Sequence, residues 1–277
     1  MALLLIAAAA GLFVLWVVVE PWLVERRRRK LRALPFPARW REIIDRQVPL
    51  ARGLPPRLRR QLESQMQVFL AEKSFVGCDE QPIDDEVRVT IAAQACLLAL
   101  ERPHAPFPRL RTILVYPSAF AVHRLRPEPS GVLQETRSVL SGESWAQDRV
   151  VLSWEDVLRG TSIPDDGTNV VIHEFAHQLD QEKGYANGAP WLGRRDRYHR
   201  WSSVLGSEYA RLQQQIALGE PTLIDPYGAS APAEFFAVVS ELFFERPHDM
   251  ALAHPALYAQ LVLLYHVDPR KWGQVHF

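Results

Sequence analysis

The segment VVIHEFAHQLD, which runs from Val170 to Asp180, contains the pattern HExxH within an otherwise apolar stretch. On a helix of about 3.6 residues per turn, His173 and His177 lie one turn apart on the same face, where both imidazoles can bind one ion. Glu174 projects beside them and can take the proton from a metal-activated water as the water attacks a carbonyl. The segment therefore predicts the buried active helix of a zinc hydrolase. The alternative is a core helix whose two histidines are satisfied by hydrogen bonds.

Two histidines leave a catalytic zinc site one protein ligand short, so a third donor must come from elsewhere in the chain. The HExxHxxGxxH pattern of the metzincins is excluded, because Asp180 and Lys183 stand where it requires Gly and His. Asp180 follows His177 by three residues on the same helix, which favours a carboxylate that accepts the other N–H of this histidine. A direct bond from Asp180 to the metal and a simple polar helix end are the alternatives.

A second apolar helix downstream carries two carboxylates. The run AEFFAVVSELFF, residues 233–244, places Glu234 and Glu241 seven residues apart and therefore on one face. A carboxylate in such a helix is costly to bury unless it meets a metal, a proton or a cation. Glu234 is the first candidate for the third ligand and Glu241 is the second. Because Glu234 closely follows Pro232, the alternative for it is a carboxylate that complements the dipole at the helix start.

Five stretches of the chain resemble the Mlc titration factor A family of zinc-dependent peptidases: VVLSWEDVLRG, DGTNVVIHEFAHQLD, ANGAP, DPYGASAPAEFFAVVSELFFERP and HPALYAQL. The resemblance extends from about Val150 to the C-terminus, is weaker between Arg39 and Gln147, and is absent from the first thirty residues. It implies a gluzincin-like site in a zincin-like catalytic domain.

The resemblance also assigns roles to individual residues. It implies one zinc ion with three ligands, namely His173, His177 and Glu234, and it makes Glu174 the general base. It further implies that Tyr227 stands near the metal, where a phenol could donate a hydrogen bond to the oxyanion that forms on the attacked carbonyl. The alternative for Tyr227 is an aromatic residue packed within its own turn.

The composition fits a folded enzyme without affinity for nucleic acid. The chain has 277 residues, of which 48% are hydrophobic, and its 32 basic residues balance 32 acidic ones. Direct nucleic-acid binding is therefore not expected. The two cysteines, Cys78 and Cys96, have no CxxC spacing and favour a reducing compartment. The chain contains neither the GxxxxGK[ST] pattern of phosphate-binding loops nor the GxSxG pattern of serine hydrolases.

The N-terminus predicts a membrane anchor. Ala2 to Val19 is an uninterrupted apolar run, and five arginines and one lysine follow it between Arg26 and Arg32. Such a run is long enough to cross most of a bilayer core, and the positive-inside rule places the basic flank and everything after it in the cytoplasm. We therefore expect an anchor with its flank at residues 1–30 and a zinc metallopeptidase domain at 31–277. A removed signal peptide, a mistaken start codon and a buried helix are the alternatives.

The remaining pattern predicts an α+β fold that is mostly helical with a small sheet. Helical spacing covers the following segments: Trp40–Val48, Arg57–Leu70, Val87–Leu100, Tyr198–Ala217 and Pro255–Tyr265. Thr112 to Tyr116 and Arg149 to Trp154 have the composition of strands. One hypothesis is that the segment from Val150 to Trp154 forms an exposed sheet edge, in which case an extended peptide would bind it mainly through its backbone. We expect Asn169 or Thr168 to cap the active helix.

These patterns together predict a zinc-dependent metallopeptidase that is held at the inner face of the membrane and acts on peptides or proteins. Whether it cleaves internal or terminal bonds stays open. The resemblance implies a second function, that of a regulatory protein that binds and titrates a transcription repressor, with the peptidase activity secondary. A zinc-stabilised scaffold without turnover is the third reading.

Overall fold

The computed structural model describes residues 1–102, 107–127, 133–140, 142, 143 and 148–273, with the backbone alone described for 2–15, 18, 120–127, 133–140, 142, 143 and 183. Within these ranges the helices are α1 (Ala2–Arg32), α2 (Ala38–Gln47), α3 (Pro49–Arg52), α4 (Pro56–Glu72), α5 (Asp85–Leu97), α6 (Trp154–Ser162), α7 (Val170–Asp180), α8 (Arg195–Leu218), α9 (Pro232–Glu245), α10 (Pro247–Ala253) and α11 (Pro255–Tyr265). The strands are β1 (Ser74–Gly77), β2 (Thr112–Tyr116), β3 (Phe120–Pro127), β4 (Leu133–Leu140), β5 (Gly142–Glu143) and β6 (Arg149–Ser153). The predicted α+β class, mostly helical with a small sheet, is confirmed.

The main sheet has the order β1-β2-β6-β5, in which the first three strands are parallel and β5 is antiparallel to β6. Strands β3 and β4 form a separate antiparallel pair. The prediction that Val150 to Trp154 forms a free sheet edge is wrong. β6 lies between two strands, because Gly142 pairs with Leu152 and Glu143 pairs with Val151. The two-residue strand β5 is the outer strand on this side.

Helix α7 lies at the centre of the core. Its apolar residues Val171, Ile172, Phe175, Ala176 and Leu179 are each at most 1% exposed. The ring of Phe175 packs against two other aromatic rings, with centroid distances of 4.7 Å to Phe107 and 5.9 Å to Phe69. This burial on all sides explains why the sequence around HExxH is apolar, as predicted.

The start of α7 is tied to two other helices through Asn169, one of the two predicted caps. Its Oδ1 accepts a hydrogen bond from the amide of Ile172 at 3.1 Å, so Asn169 is the N-cap. Its Nδ2 donates to Gln94 of α5 at 2.8 Å and to Glu245 of α9 at 3.1 Å, and its backbone amide donates to Glu241 of α9. One residue therefore fixes the register of α7 against α5 and α9.

The end of α7 is tied to the start of α9 through a loop. Asp180, the last residue of α7, accepts hydrogen bonds from the amides of Asn187, Gly188 and Ala189 at 2.7, 2.6 and 2.9 Å. Trp201 of α8 donates its indole N–H to the carbonyl of Gly188 at 2.8 Å. A Cβ on Gly188 would lie 2.4 Å from the carbonyl oxygen of Pro232, the first residue of α9. The loop therefore sets the position of α9.

Helix α1 continues from Ala2 to Arg32 and its last part packs on α4. Arg28 donates two hydrogen bonds, at 2.8 and 2.9 Å, to the two carboxylate oxygens of Glu72 in a partly buried ion pair. Among the described residues, no helix combines the length and the apolar character needed to cross a membrane. Most of the predicted span Ala2–Val19, namely residues 2–15 and 18, falls outside the side chains that the structure describes.

We expect Gly188→Ala to destabilise the protein and to displace α9. Gly188 has a φ of +77°, which is unfavourable for alanine, and the added Cβ would meet the backbone of Pro232. Together these effects should cost about 2–5 kcal/mol. Thermal unfolding of the full chain should show a lower Tm. The matched control is Gly206→Ala in α8, where an added Cβ has nothing within 4 Å. Equal Tm values for the two variants would contradict the proposed role of this loop.

Candidate metal centre

Three predicted ligands converge at the crossing of α7 and α9. Nε2 of His173 lies 3.1 Å from Oε2 of Glu234 and 3.2 Å from Nε2 of His177. Nε2 of His177 lies 3.3 Å from the same oxygen of Glu234. These three side chains are also the only group among the described residues that brings three possible metal-ligating atoms within 4.8 Å of one another.

The triangle of donor atoms has the size that a zinc ion requires. Zn–N and Zn–O bonds of about 2.0–2.1 Å in a tetrahedral site place neighbouring ligand atoms roughly 3.3–3.4 Å apart. The three observed separations, 3.1, 3.2 and 3.3 Å, are close to this value. Two imidazoles and one carboxylate are also the donor set of many catalytic zinc sites, in which a fourth position stays open. The residues present therefore fit a zinc ion.

Electrostatics at the triangle favour a cation. Burial raises the pKa of Glu234, but hydrogen bonds to His173 and His177 outweigh burial and hold this pKa well below its usual range. Burial lowers the pKa of His173, but the charge of Glu241 and the hydrogen bonds to Glu234 and Glu241 raise it well above its usual range. Without a metal, the site therefore favours an ionised glutamate beside a protonated histidine. A metal ion must displace that proton, so metal affinity falls at low pH.

Glu241, the second candidate for the third ligand, contacts the other nitrogen of the same histidine. Its Oε1 lies 2.7 Å from Nδ1 of His173, and its Oε2 accepts the amide of Asn169. Both oxygens are thus engaged, and the residue is 4% exposed. A carboxylate on Nδ1 fixes the tautomer in which Nε2 is free to bind a metal. Of the two glutamates, Glu234 is therefore the one that lies close to Nε2 of both histidines, whereas Glu241 contacts Nδ1 of His173.

The prediction that Asp180 accepts the N–H of His177 is wrong. Both oxygens of Asp180 are occupied by the amides of residues 187–189. Nδ1 of His177 is buried and has no hydrogen-bond partner among the described residues. Spacing along the helix brings the two residues close. The loop that follows, however, offers three amide donors to the carboxylate of Asp180, which are more hydrogen bonds than one imidazole could donate.

Glu174 lies beside the triangle, and one of its carboxylate oxygens makes no hydrogen bond among the described residues. The side chain is 4% exposed, and its Oε2 is buried without a hydrogen-bond partner in the described part of the chain. Burial raises the pKa of Glu174 to about 7, and nearby His173 and His177 oppose this shift. A carboxyl group with a pKa near neutrality can both accept and return a proton, which is what a general base requires.

Tyr227 lies close to His173 and lines the neighbouring cavity. It belongs to a short 3₁₀ turn, Pro226–Ala229, which is capped by Asp225 through a hydrogen bond of 2.8 Å to the amide of Tyr227. The rings of Tyr227 and His173 have centroids 6.0 Å apart. The side chain is 55% exposed, so its hydroxyl can be reached from solvent.

A cavity of about 360 Å³ opens next to His173 and Glu174. Residues of α6, of the loop before α7, of α7 itself, of the 3₁₀ turn and of α9 line it: Asp156, Arg159, Gly160, Asp166, Gly167, Thr168, Val170, His173, Glu174, Asp225, Tyr227, Val238 and Glu241. The sequence did not predict that Asp156, Asp166 and Asp225 line one cavity, because they come from three separate segments that only the fold brings together.

Two histidines of an HExxH helix and a glutamate of a second helix form the ligand arrangement of a metallopeptidase. The chain belongs to the glucose-regulated metallo-peptidase M90 family, whose model matches residues 22–266. It is 44% identical to an uncharacterized protein of Synechocystis sp. over 250 residues, which are 90% of this chain and 91% of that protein. It is 34% identical to Mlc titration factor A of Escherichia coli over 252 residues, with the same two coverages. The predicted family resemblance is confirmed.

We expect Glu241→Gln to weaken zinc binding without abolishing it. Glutamine keeps the shape of the side chain but removes the charge that supports His173, so zinc affinity should fall about 10- to 100-fold. Competition with a chelator of known affinity measures the change. Glu220→Gln, at an exposed glutamate outside the site, should leave the affinity unchanged. Complete loss of zinc in Glu241→Gln, as expected for Glu234→Ala, would instead make Glu241 a ligand.

Proposed function

We propose that this chain is a zinc-dependent peptidase that hydrolyses peptide bonds with Glu174 as general base, and that it works at the inner face of the membrane. One observation carries the catalytic part of the proposal. The donor triangle of His173, His177 and Glu234 has the dimensions of a zinc site, and the unpartnered oxygen of Glu174 lies beside it.

The chain supplies the positioning and the proton transfers of this reaction. Zinc bound at the triangle would act as a Lewis acid on the scissile carbonyl and would lower the pKa of a water molecule. Glu174 accepts a proton from the attacking water through its unpartnered oxygen and returns it to the leaving amine. The hydroxyl of Tyr227 donates a hydrogen bond to the oxygen on which negative charge develops. Glu241 holds the ring of His173 throughout.

We expect Glu174→Gln to retain zinc and to lose hydrolysis. Glutamine has the same size but cannot accept the proton, so kcat/KM should fall by roughly 10²–10⁴-fold. The measurements are zinc content and cleavage of a mixed fluorogenic peptide library by the full chain. Zinc near one per chain with unchanged cleavage would remove Glu174 from the mechanism. Glu234→Ala serves as the comparison, because it should lose both zinc and activity.

The membrane part of the proposal is supported by the N-terminal helix. The apolar run Ala2–Val19 precedes the basic flank, and Trp16 and Trp22 of α1 are 59% and 54% exposed. Trp16 lies near the end of this run and Trp22 just beyond it, which is where tryptophans are typical of the membrane interface. The ion pair between Arg28 and Glu72 then fixes the catalytic domain to the end of this helix.

We expect Leu12→Arg to release the protein from membranes. A charge near the centre of a membrane span costs about 2.5–3.5 kcal/mol by insertion scales. Sedimentation of membranes after carbonate extraction measures retention of the full chain. Leu34→Arg, at an exposed leucine beyond the apolar run, should remain with the membrane. A wild-type chain that stays in the supernatant would overturn the anchor without affecting the catalytic proposal.

A regulatory function is the second candidate, because relatives of 34% identity carry the name Mlc titration factor A. In this reading the chain binds a transcription repressor and peptide cleavage is secondary. The substitution Glu174→Gln distinguishes the two functions, because it should keep repressor binding and lose hydrolysis. A biological effect that survives this substitution would favour the regulatory protein, and one that disappears would favour the peptidase.

A further inference from the structure

The cavity beside Glu174 is lined by more acidic than basic side chains. Its volume of about 360 Å³ lies within the roughly 300–1,000 Å³ that ligand pockets span. Apart from the glutamates and the histidine already described, its charged lining residues are three aspartates and one arginine: Asp156, Asp166, Asp225 and Arg159. The walls away from the metal centre therefore carry a net negative charge.

The aspartates retain unused acceptor capacity. Asp166 and Asp225 each use one oxygen to accept a backbone amide, from Thr168 and Tyr227 respectively, at 2.8 Å. Their second oxygens have no hydrogen-bond partner in the described part of the chain. Asp156 is only 9% exposed; one of its oxygens pairs with Arg159 at 3.0 Å, and the other, Oδ2, is buried and unpartnered among the described residues. Carboxylates around a concave surface concentrate negative potential and favour a cationic ligand.

The apolar part of the lining indicates which kind of cation fits. Val170 and Val238 face the same cavity, one from α7 and one from α9. A metal ion gains no binding energy from apolar walls. Lysine and arginine side chains, in contrast, bury their methylene stem on apolar surface and keep the charged head beside polar groups. The cavity also reaches Glu174, the proposed general base, so its occupant lies next to the bond that is cleaved.

We propose that this cavity binds the side chain of a lysine or arginine adjacent to the scissile bond, and so makes the enzyme selective for basic residues. The proposal rests on the peptidase function proposed above. The stem packs between Val170 and Val238, and the cationic head meets Asp166 and Asp225 at the exposed side. Arg159 neutralises Asp156 in part, which leaves the other two aspartates as the main determinants of charge selection.

The test uses the zinc-loaded full chain and N-acetylated fluorogenic peptides that carry one Lys, Leu or Glu at successive positions. Acetylation removes the terminal amine, which could otherwise occupy an acidic site. We expect kcat/KM for the best Lys peptide to exceed that of the matching Leu peptide by about tenfold and that of the Glu peptide by more. Raising the salt concentration should reduce this preference, because exposed charges are screened.

Variants test whether the preference for Lys peptides depends on the aspartates of the cavity. In the double variant Asp166→Asn, Asp225→Asn, the amides of Thr168 and Tyr227 keep an acceptor while both charges disappear. Cleavage of the Lys peptide should fall about tenfold and cleavage of the Leu peptide should stay within about twofold. Asp165→Asn is the matched control, since Asp165 is exposed in the same loop but does not line the cavity. A Lys preference that survives the double variant, or no Lys preference at any position, would overturn the proposal.

A binding measurement separates this inference from the peptidase function itself. Fluorescence anisotropy of the Lys peptide with Glu174→Gln reports occupancy without turnover. If adding Asp166→Asn and Asp225→Asn to the Glu174→Gln variant weakens binding of the Lys peptide, the cavity binds the basic side chain even if the wild-type chain cleaves nothing. Cleavage with equal binding of Lys and Leu peptides supports the peptidase and contradicts the basic subsite.

Discussion

The packing of α7 against α9 is the constraint on which the rest of the structure depends. Both helices carry ionisable side chains into a core where an unpaired charge would cost several kcal/mol. The apolar faces bring the helices together, and the polar groups then satisfy one another across the contact. His173 is the clearest case, because it contacts Glu241 through Nδ1 and Glu234 through Nε2. Neither helix could bury these groups alone.

Two anchors at the ends of α7 keep this contact in register. At the start, Asn169 holds Glu241 and Glu245, which lie one turn apart on α9. At the end, Asp180 holds the loop whose Gly188 touches the first residue of α9. A triangle of donor atoms with sides near 3.2 Å tolerates little movement, since a shift of about 1 Å would move one of them out of bonding distance of the metal. The anchors are therefore part of the metal centre, although they contact no ligand atom.

The sequence predicts the parts of the site that depend on local spacing. His173, Glu174 and His177 follow from one helical repeat. The cost of burying a carboxylate in an apolar helix leads to both Glu234 and Glu241 as candidates, and the family resemblance favours Glu234. The sequence could not predict which nitrogen of His173 each glutamate meets, because this depends on the crossing of two helices. It also misplaced Asp180, whose partners lie in a loop of the fold.

The same limit applies to the sheet. Thr112–Tyr116 was predicted with the bounds that the structure gives, and β6 differs from its prediction by one residue. Both strands are rich in β-branched, apolar residues and pair with each other in parallel; β6 is buried after its first residue, and β2 alternates half-buried with buried residues. The neighbour of β6 could not be predicted, because β5 has only two residues, Gly142 and Glu143, and neither has a strand preference. Strand partners of this kind are determined by the fold and leave no local pattern.

Three glutamates of one site show how the environment divides a single side-chain type among different roles. Glu234 is partly open to solvent and hydrogen-bonded to two imidazoles, so its pKa is lowered and it is ionised for metal binding. Glu241 has both oxygens engaged, one by the amide of Asn169 and the other by Nδ1 of His173. Glu174 is equally buried but has an unpartnered oxygen and a pKa of about 7. The three glutamates thus differ in hydrogen bonding and in pKa although they share one site, and Glu174 is the one that keeps a buried oxygen without a partner among the described residues.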